Sequence, residues 1–316
     1  MECCPQVTRD EVLAAAERIA GAVLRTPLIE TRIRGGRVWL KCECLQTGGS
    51  FKLRGATNRL TQLSEAERAR GVVAFSSGNH AQGVAIAARR LGIAATIVMP
   101  SDAPATKIEG TRAQGAKIVL YDRLKEDRVS IAARLAAETG ATVVPSFDDP
   151  HIVAGQGTAG MEILDQLGVS PAQILVNCGG GGLSAGIALA CPDARIVIVE
   201  PEGWDDMRRS LDLGEIVPVE PDAPSTLCDA LQTVKVSPMT FGILKERLVT
   251  GVSISESEMA AAVRFAWERH RLVVEPGGAV SLAALLAGKV EILAETVVLL
   301  SGGNIDPQLH RELVNA

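Results

Sequence analysis

From residue 71 onward the chain alternates short apolar runs with amphipathic stretches, and this alternation constrains its fold more than any other feature. Gly71-Val72-Val73-Ala74-Phe75, Ala95-Thr96-Ile97-Val98-Met99, Ala116-Lys117-Ile118-Val119-Leu120 and Thr142-Val143-Val144 read as strands. Helical patterns over 78–91, after Pro104 and over 126–138 separate them. Strands that are apolar along their whole length must be covered on both faces, which is the condition of a parallel sheet built from strand–helix–strand units. A second series follows, with a helix over 150–167, a strand over 174–178, a helix over 183–190 and a strand over 195–199. The capping box Ser255-Glu256-Ser257-Glu258 opens a helix to about His270, and a small-residue helix over 279–286 leads to a last strand over 296–300.

The amino-terminal part is organised differently. Thr8-Arg9-Asp10-Glu11 is a capping box opening a helix to about residue 22, and Thr26-Pro27-Leu28 ends it in an extended segment. A strand-like run over 37–42 then leads to Gly49-Ser50-Phe51-Lys52-Leu53-Arg54-Gly55-Ala56. Residues 214–248, with four prolines, read as irregular. The expected architecture is α/β, with two open, mostly parallel twisted sheets flanked by helices. A small domain over 71–147 interrupts a large domain made of 1–70 and 148–316.

Composition narrows the function. The chain has 316 residues, enough for two domains, and 47% of them are hydrophobic, enough for large cores. Aromatic residues are only 3%, and the net charge of −5 is spread without a basic block, which argues against nucleic-acid binding. Seven cysteines form no disulfide-scaffold pattern, and Cys42-Glu43-Cys44 lacks the histidines and spacing of a zinc site. The start of the chain has no signal-peptide pattern, and no apolar run reaches the ~18 residues of a membrane span. The expectation is a cytoplasmic protein with reduced thiols and no membrane or nucleic-acid partner.

Three loops and one lysine carry chemistry. Lys52 falls where a strand turns into a helix; a lysine pointed into a fold can lose its charge and act as a nucleophile in imine chemistry. Cys178-Gly179-Gly180-Gly181-Gly182-Leu183 joins a strand to a helix, so its N–H groups and the helix terminus could cradle a phosphate, or simply allow close packing. It is neither a dinucleotide fingerprint nor a P-loop, because the GxGxxG spacing and a following Lys-Ser/Thr are both missing. Ser76-Ser77-Gly78-Asn79-His80 also ends a strand, and reads either as an N-cap or as a loop whose amides hold a carboxylate. Ser301-Gly302-Gly303-Asn304 closes the last strand, where a serine could offer one neutral hydrogen bond.

In this order and spacing, Thr26-Pro27-Leu28, Ser50-Phe51-Lys52-Leu53-Arg54-Gly55-Ala56, Ser76-Ser77-Gly78-Asn79-His80, the four glycines, Glu275-Pro276 and Ser301-Gly302-Gly303-Asn304 resemble the fold type II pyridoxal-phosphate enzymes. Within them the chain is similar to the threonine/serine dehydratases and serine racemases, over nearly its whole length, on a fold like that of the tryptophan synthase β chain. The resemblance implies pyridoxal 5'-phosphate as cofactor and a small amino acid as substrate. It makes Lys52 the Schiff-base lysine, Phe51 the residue packed on the cofactor ring and Asn79 the partner of its ring hydroxyl. Gly179, Gly180, Gly181, Gly182 and Leu183 would bind its phosphate, and Ser301 would face the pyridine nitrogen. Ser76, Ser77, Gly78, Asn79 and His80 would hold the substrate, with Ser77 the racemases' second acid–base group opposite Lys52.

In the racemase-like branch, the positions of Glu200, the Trp204 carbonyl and Asp206 hold Mg²⁺ or Ca²⁺, hard cations that oxygen ligands suit. The implied activity is an ammonia-lyase on L-threonine, L-serine or a related β-hydroxy amino acid, with serine racemisation or a hydroxyaspartate-type dehydration as alternatives, in a homodimer. Gly48 stands where the family usually has threonine, and Cys44 where it has an apolar residue or asparagine, both near the substrate side of the lysine loop.

Overall fold

The computed structural model describes residues 7–76, 78–103 and 105–315, and in it the expected alternation forms two sheets. The chain enters through helix α1 (Arg9–Ile19), strands β1 (Leu28–Ile33) and β2 (Gly36–Lys41), and helices α2 (Lys52–Thr61) and α3 (Glu65–Arg70). It then builds β3 (Val72–Phe75), α4 (Asn79–Leu91), β4 (Ala95–Pro100), α5 (Ala105–Arg112), β5 (Lys117–Tyr121), α6 (Arg128–Thr139) and β6 (Thr142–Val143). The return comprises α7 (Pro150–Leu167), β7 (Gln173–Asn177), α8 (Gly182–Ala190), β8 (Arg195–Pro201), α9 (Asp206–Leu213) and α10 (Pro238–Glu246). Strand β9 (Thr250–Ile254), helices α11 (Glu256–His270) and α12 (Pro276–Leu286), strand β10 (Thr296–Leu299) and helix α13 (Pro307–Asn315) complete it.

The smaller sheet has order β5-β4-β3-β6 and is parallel throughout. The larger has order β1-β2-β10-β7-β8-β9, parallel except for the antiparallel β1–β2 edge. Side-chain alternation splits each strand of the larger sheet between two cores. Ile174 and Val176 of β7, Ile196 and Ile198 of β8, and Val297 and Leu299 of β10 pack with α1, α7 and α8. Leu175, Val197, Val199 and Val298 pack on the other face with α11 and α12. Each such buried aliphatic side chain contributes roughly 1.5–3 kcal/mol, so the two cores fix the strand register.

Several expected boundaries move. The first helix stops at Ile19 rather than near residue 22, because the chain turns at Gly21 with φ +75°. The stretch 214–248 is not wholly irregular: Pro238 is the first residue of α10, where its missing N–H is harmless, and Ser237 caps that helix. The small-residue helix likewise begins earlier, at Pro276, and α13 follows the last strand.

One buried charge cluster joins the elements that lead to Lys52. Arg54 on α2 is fully buried and forks onto Glu43, with Nε to Oε2 and Nη2 to Oε1 both at 2.8 Å. Its Nη1 donates to Glu162 Oε1 on α7 at 2.7 Å. Glu162 Oε2 also accepts from Lys41 Nζ of β2 at 2.6 Å, and Lys41 donates to the Thr26 carbonyl at 2.9 Å. Burial alone would raise the Glu43 carboxyl, but Arg54 and Lys41 hold it below the usual carboxylate range. Beside this cluster α2 and α7 cross closely: a Cβ on Gly155 would lie 2.7 Å from Gly55 Cα and 2.9 Å from the Arg54 carbonyl.

That crossing generates a test. Gly155→Ala is expected to destabilise the protein by about 1–3 kcal/mol, since backbone atoms must move to admit the methyl group. Urea unfolding monitored by circular dichroism measures this, and an unchanged midpoint would show that the helices can part freely.

Candidate active site

The carboxyl ends of strands from both sheets converge on a cavity of about 530 Å³. Phe51, Lys52, Ser76, Gly78, Asn79, His80, Gly179, Gly180, Gly181, Gly182, Leu183 and Ser301 all line it. Ligands of open α/β sheets gather at such strand ends, because successive loops leave a crevice there. Ser77 lies outside the described residues.

Lys52 is the first residue of α2, with Phe51 at its N-cap, so the side chain leaves the helix start toward the cavity. Its Nζ donates to the Ser146 carbonyl at 2.8 Å and stands 5.1 Å from the centre of the Phe51 ring. Burial lowers its pKa to about 8, so a substantial share of the amine is neutral near physiological pH. His80, buried on α4, is pushed down to about 3 by burial and by the nearby Lys52 charge. It is therefore a neutral imidazole; Nε2 lies 3.0 Å from the Val144 carbonyl and must be the protonated nitrogen.

The glycine stretch follows β7 and opens α8, so free N–H groups of the first helical turn point outward beside the positive end of the helix dipole. Gly181 at the N-cap has φ +85°, a conformation a side chain resists. Room is the second reason for glycine here. A Cβ on Gly180 would lie 2.3 Å from the Phe147 ring, and one on Gly182 would lie 3.0 Å from Phe147 Cβ. The Thr240 hydroxyl donates to the Gly180 carbonyl at 2.9 Å and steadies the loop from behind.

Asn79 is held at both ends of its amide. Nδ2 donates to Glu275 Oε1 at 2.5 Å, and Oδ1 accepts from Asn304 Nδ2 at 2.7 Å. One N–H of Nδ2 remains for an acceptor in the cavity. Ser301 is fixed through its main chain, its carbonyl accepting from the Phe51 N–H at 3.1 Å and its N–H donating to the Gly278 carbonyl at 3.3 Å. Its neutral hydroxyl belongs to the cavity wall.

The three positions expected to hold a cation lie elsewhere. Glu200, next to last in β8, is fully buried and accepts from the Met207 and Arg208 N–H groups at 3.3 and 2.8 Å. Burial, with Asp206 beside it, holds its carboxyl well above the usual range, and burial pushes Asp206 up to about 7. Neither carboxylate oxygen of Asp206 finds a hydrogen bond of normal geometry. The Trp204 side chain turns away, its Nε1 donating to the Pro224 carbonyl at 2.7 Å. Among the described residues no group of three or more His, Cys, Asp or Glu could hold a metal.

Several cavity residues have no local signature. Ser146 and Phe147 sit in a connection between β6 and α7, Arg128 opens α6 at the cavity wall, and Glu275 caps α12. Asn177 ends β7 with Nδ2 on the Gly277 carbonyl at 2.6 Å and Oδ1 accepting from Ser281 at 2.8 Å. Only Glu275 stood in a stretch the sequence singles out. The five described cysteines, Cys42, Cys44, Cys178, Cys191 and Cys228, are buried free thiols. No helix among the described residues is long and apolar enough to cross a membrane.

Comparison with known proteins agrees with this geometry. A family model described as pyridoxal-phosphate dependent enzyme matches residues 19–302. The chain is 45% identical over 313 residues to an L-threo-3-hydroxyaspartate ammonia-lyase of a Pseudomonas species, covering 96% of this chain and 97% of that one. It is 40% identical over 318 residues to an L-threonine ammonia-lyase of Thermotoga maritima, covering 98% of this chain and 78% of the relative. The structure of maize serine racemase superposes with a TM-score of 0.91 at 33% identity, covering 98% and 97% of the two chains.

Proposed function

The chain belongs to the pyridoxal-phosphate-dependent enzymes, and on that footing we propose that it is an ammonia-lyase converting L-threonine, L-serine or a related β-hydroxy amino acid to a 2-oxo acid and ammonia. The observation that carries this reading is the opposition, in one cavity, of the buried Lys52 amine, whose pKa is lowered to about 8, and the glycine cradle of 179–183. The residues fit the cofactor: an amine for its aldehyde, N–H donors without side chains for its phosphate, a spare Asn79 N–H for its ring hydroxyl and the neutral Ser301 for its ring nitrogen. Bound there, pyridoxal phosphate withdraws electrons from the substrate's Cα and so makes its proton removable.

The protein's own groups do the rest. Amides of the 76–80 loop, at the start of α4, hold the substrate carboxylate. Lys52, once its amine is unlinked, takes the Cα proton at Nζ, which its lowered pKa permits near neutrality. His80, neutral, adds no charge beside that amine. Arg128 at the cavity wall is a cation suited to a second carboxylate, as on 3-hydroxyaspartate. Turnover of β-hydroxy amino acids with and without that carboxylate ranks the substrates. The same reading takes 71–147 as the small domain, within a large domain of 1–70 and 148–316, in a cytoplasmic homodimer whose mass sedimentation would report.

Lys52→Ala is expected to abolish turnover and the borohydride-sensitive visible absorbance of the bound cofactor, with the circular dichroism spectrum retained. Formation of 2-oxo acid at the parental rate would remove the assignment.

Likeness to serine racemase favours racemisation as a second activity of this site. Inversion requires a second proton donor on the face away from Lys52, and Ser77 in the carboxylate loop has the chemistry for it. Ser77→Ala is expected to abolish conversion of L- to D-serine while elimination from the L-substrate falls less; surviving racemisation would assign that face to another group.

The buried Asp206 oxygens without hydrogen bonds, next to buried Glu200, support a divalent cation held by these carboxylates and the Trp204 carbonyl. Mg²⁺ or Ca²⁺ would relieve the mutual repulsion of the two acids. Chelator is then expected to lower the melting temperature, and Glu200→Ala to erase that response; a parent protein indifferent to chelator would exclude the metal.

A further inference from the structure

Nζ of Lys52 has one hydrogen-bond acceptor among the described residues, the main-chain carbonyl of Ser146 at 2.8 Å. That carbonyl belongs to a connection pinned on both sides. Before it, the Val144 N–H donates to the Val73 carbonyl at 2.8 Å, and the Val144 carbonyl accepts from His80 Nε2 at 3.0 Å. After it, the Phe147 ring lies against Gly180 of the cradle. Asp149 then caps α7 through the His151 and Ile152 N–H groups at 2.9 and 3.0 Å and accepts from Arg59 Nε at 2.9 Å. The segment therefore touches the reacting amine at one point and the anion cradle at the next residue.

We propose that the Ser146 carbonyl receives the Lys52 amine whenever it is unlinked, and steadies the charge it gains on taking the substrate's Cα proton. Ser146 is thus a positioning residue, acting through its main chain, and the inference rests on the ammonia-lyase reading above. In the step concerned, the Nζ lone pair forms a new N–H bond, the Cα–H bond breaks, and its electron pair stays with the substrate. The amine becomes an ammonium whose proton can return to Cα or pass to the departing hydroxyl. A neutral amine bonds a carbonyl weakly, whereas an ammonium does so about twice as strongly. The contact therefore strengthens as the proton arrives, the condition for lowering a barrier rather than merely binding. It also holds the amine in place between displacement and return, when a flexible lysine would otherwise lose its aim.

The test replaces the peptide link between Ser146 and Phe147 by an ester, incorporating phenyllactate at 147, which weakens the carbonyl as an acceptor without changing a side chain. In the holoenzyme, the borohydride-sensitive absorbance should persist. The kcat should fall roughly tenfold with KM changed less. Because the acceptor favours the protonated amine, weakening it should move the acidic limb of the kcat profile to lower pH. Ser146→Ala, which keeps the carbonyl, should lose less kcat than the ester protein and leave the acidic limb of the profile in place; a shift equal to that of the ester protein would overturn the assignment to the carbonyl. An ester protein with parental kcat and pH profile overturns the proposal.

A second measurement needs no altered backbone and stands if the ester protein does not fold. Ser50-Phe51 and Ser146-Phe147 are the only Ser-Phe pairs in the sequence. Labelling serine carbonyls with ¹³C and phenylalanine amides with ¹⁵N therefore yields two assignable signals. Saturating substrate should shift the Ser146 carbonyl signal in the holoenzyme and leave it unmoved in Lys52→Ala. A signal that ignores substrate in the parent overturns the inference alone, while Lys52→Ala that retains absorbance and turnover overturns the reading beneath it.

Discussion

The buried quartet of Arg54, Glu43, Glu162 and Lys41 is the interaction on which the rest of the structure depends. Removing ions from water costs several kcal/mol each, and a buried pair is tolerable only when every donor and acceptor is answered. Here the two cations and two anions sum to zero, and the Thr26 hydroxyl supplies Glu43 with a further donor at 2.5 Å. Arg54 also reaches the Leu24 carbonyl at 3.2 Å and the Thr158 hydroxyl at 3.3 Å. A bidentate guanidinium accepts only one arrangement of its partners, so the quartet fixes β2, α2 and α7 against one another. Greasy side chains of similar volume could fill the same space without dictating that geometry. Lys52 stands two residues before Arg54 on the same helix, and its aim is inherited from this clamp.

Above the clamp, the cavity separates two kinds of polarity. At one side the Lys52 ammonium is weakened by burial, and His80, which feels its charge, is kept neutral mainly by the same cause. At the other, the glycine loop offers N–H dipoles with no side chain between them and the cavity. An anion is drawn to the second and a carbonyl carbon to the first. Pyridoxal phosphate carries both groups on neighbouring carbons of one ring, so an amine and an anion cradle set at that fixed separation hold it in only one sense.

Much of the fold was legible in sequence because period and punctuation agreed. The runs over 71–75, 95–99 and 195–199 became the buried parallel strands over 72–75, 95–100 and 195–201, and the capping boxes at Thr8 and Ser255 cap helices as expected. What escaped notice had weak or contrary signals. Strand β9, Thr-Gly-Val-Ser-Ile, is only partly buried at the sheet edge and lacks a continuous apolar run. Helix α10 starts on a proline amid other prolines, and proline marks a helix start as readily as a loop. Helix α3 buries no residue, so it carries no apolar stripe to read.

The sequence by itself determined the strand–helix alternation, the lysine at the start of a helix, and the glycines that leave amides bare after a strand. These are local properties, because dihedral freedom, helix capping and side-chain period act within a few residues. Tertiary structure alone decided which groups meet. Ser146 is 94 residues from Lys52, Glu275 is 196 from Asn79, and Glu162 is 108 from Arg54. Nothing near any of these residues encodes its partner, since a hydrogen bond requires convergence to about 3 Å and only the packed cores bring such distant segments that close.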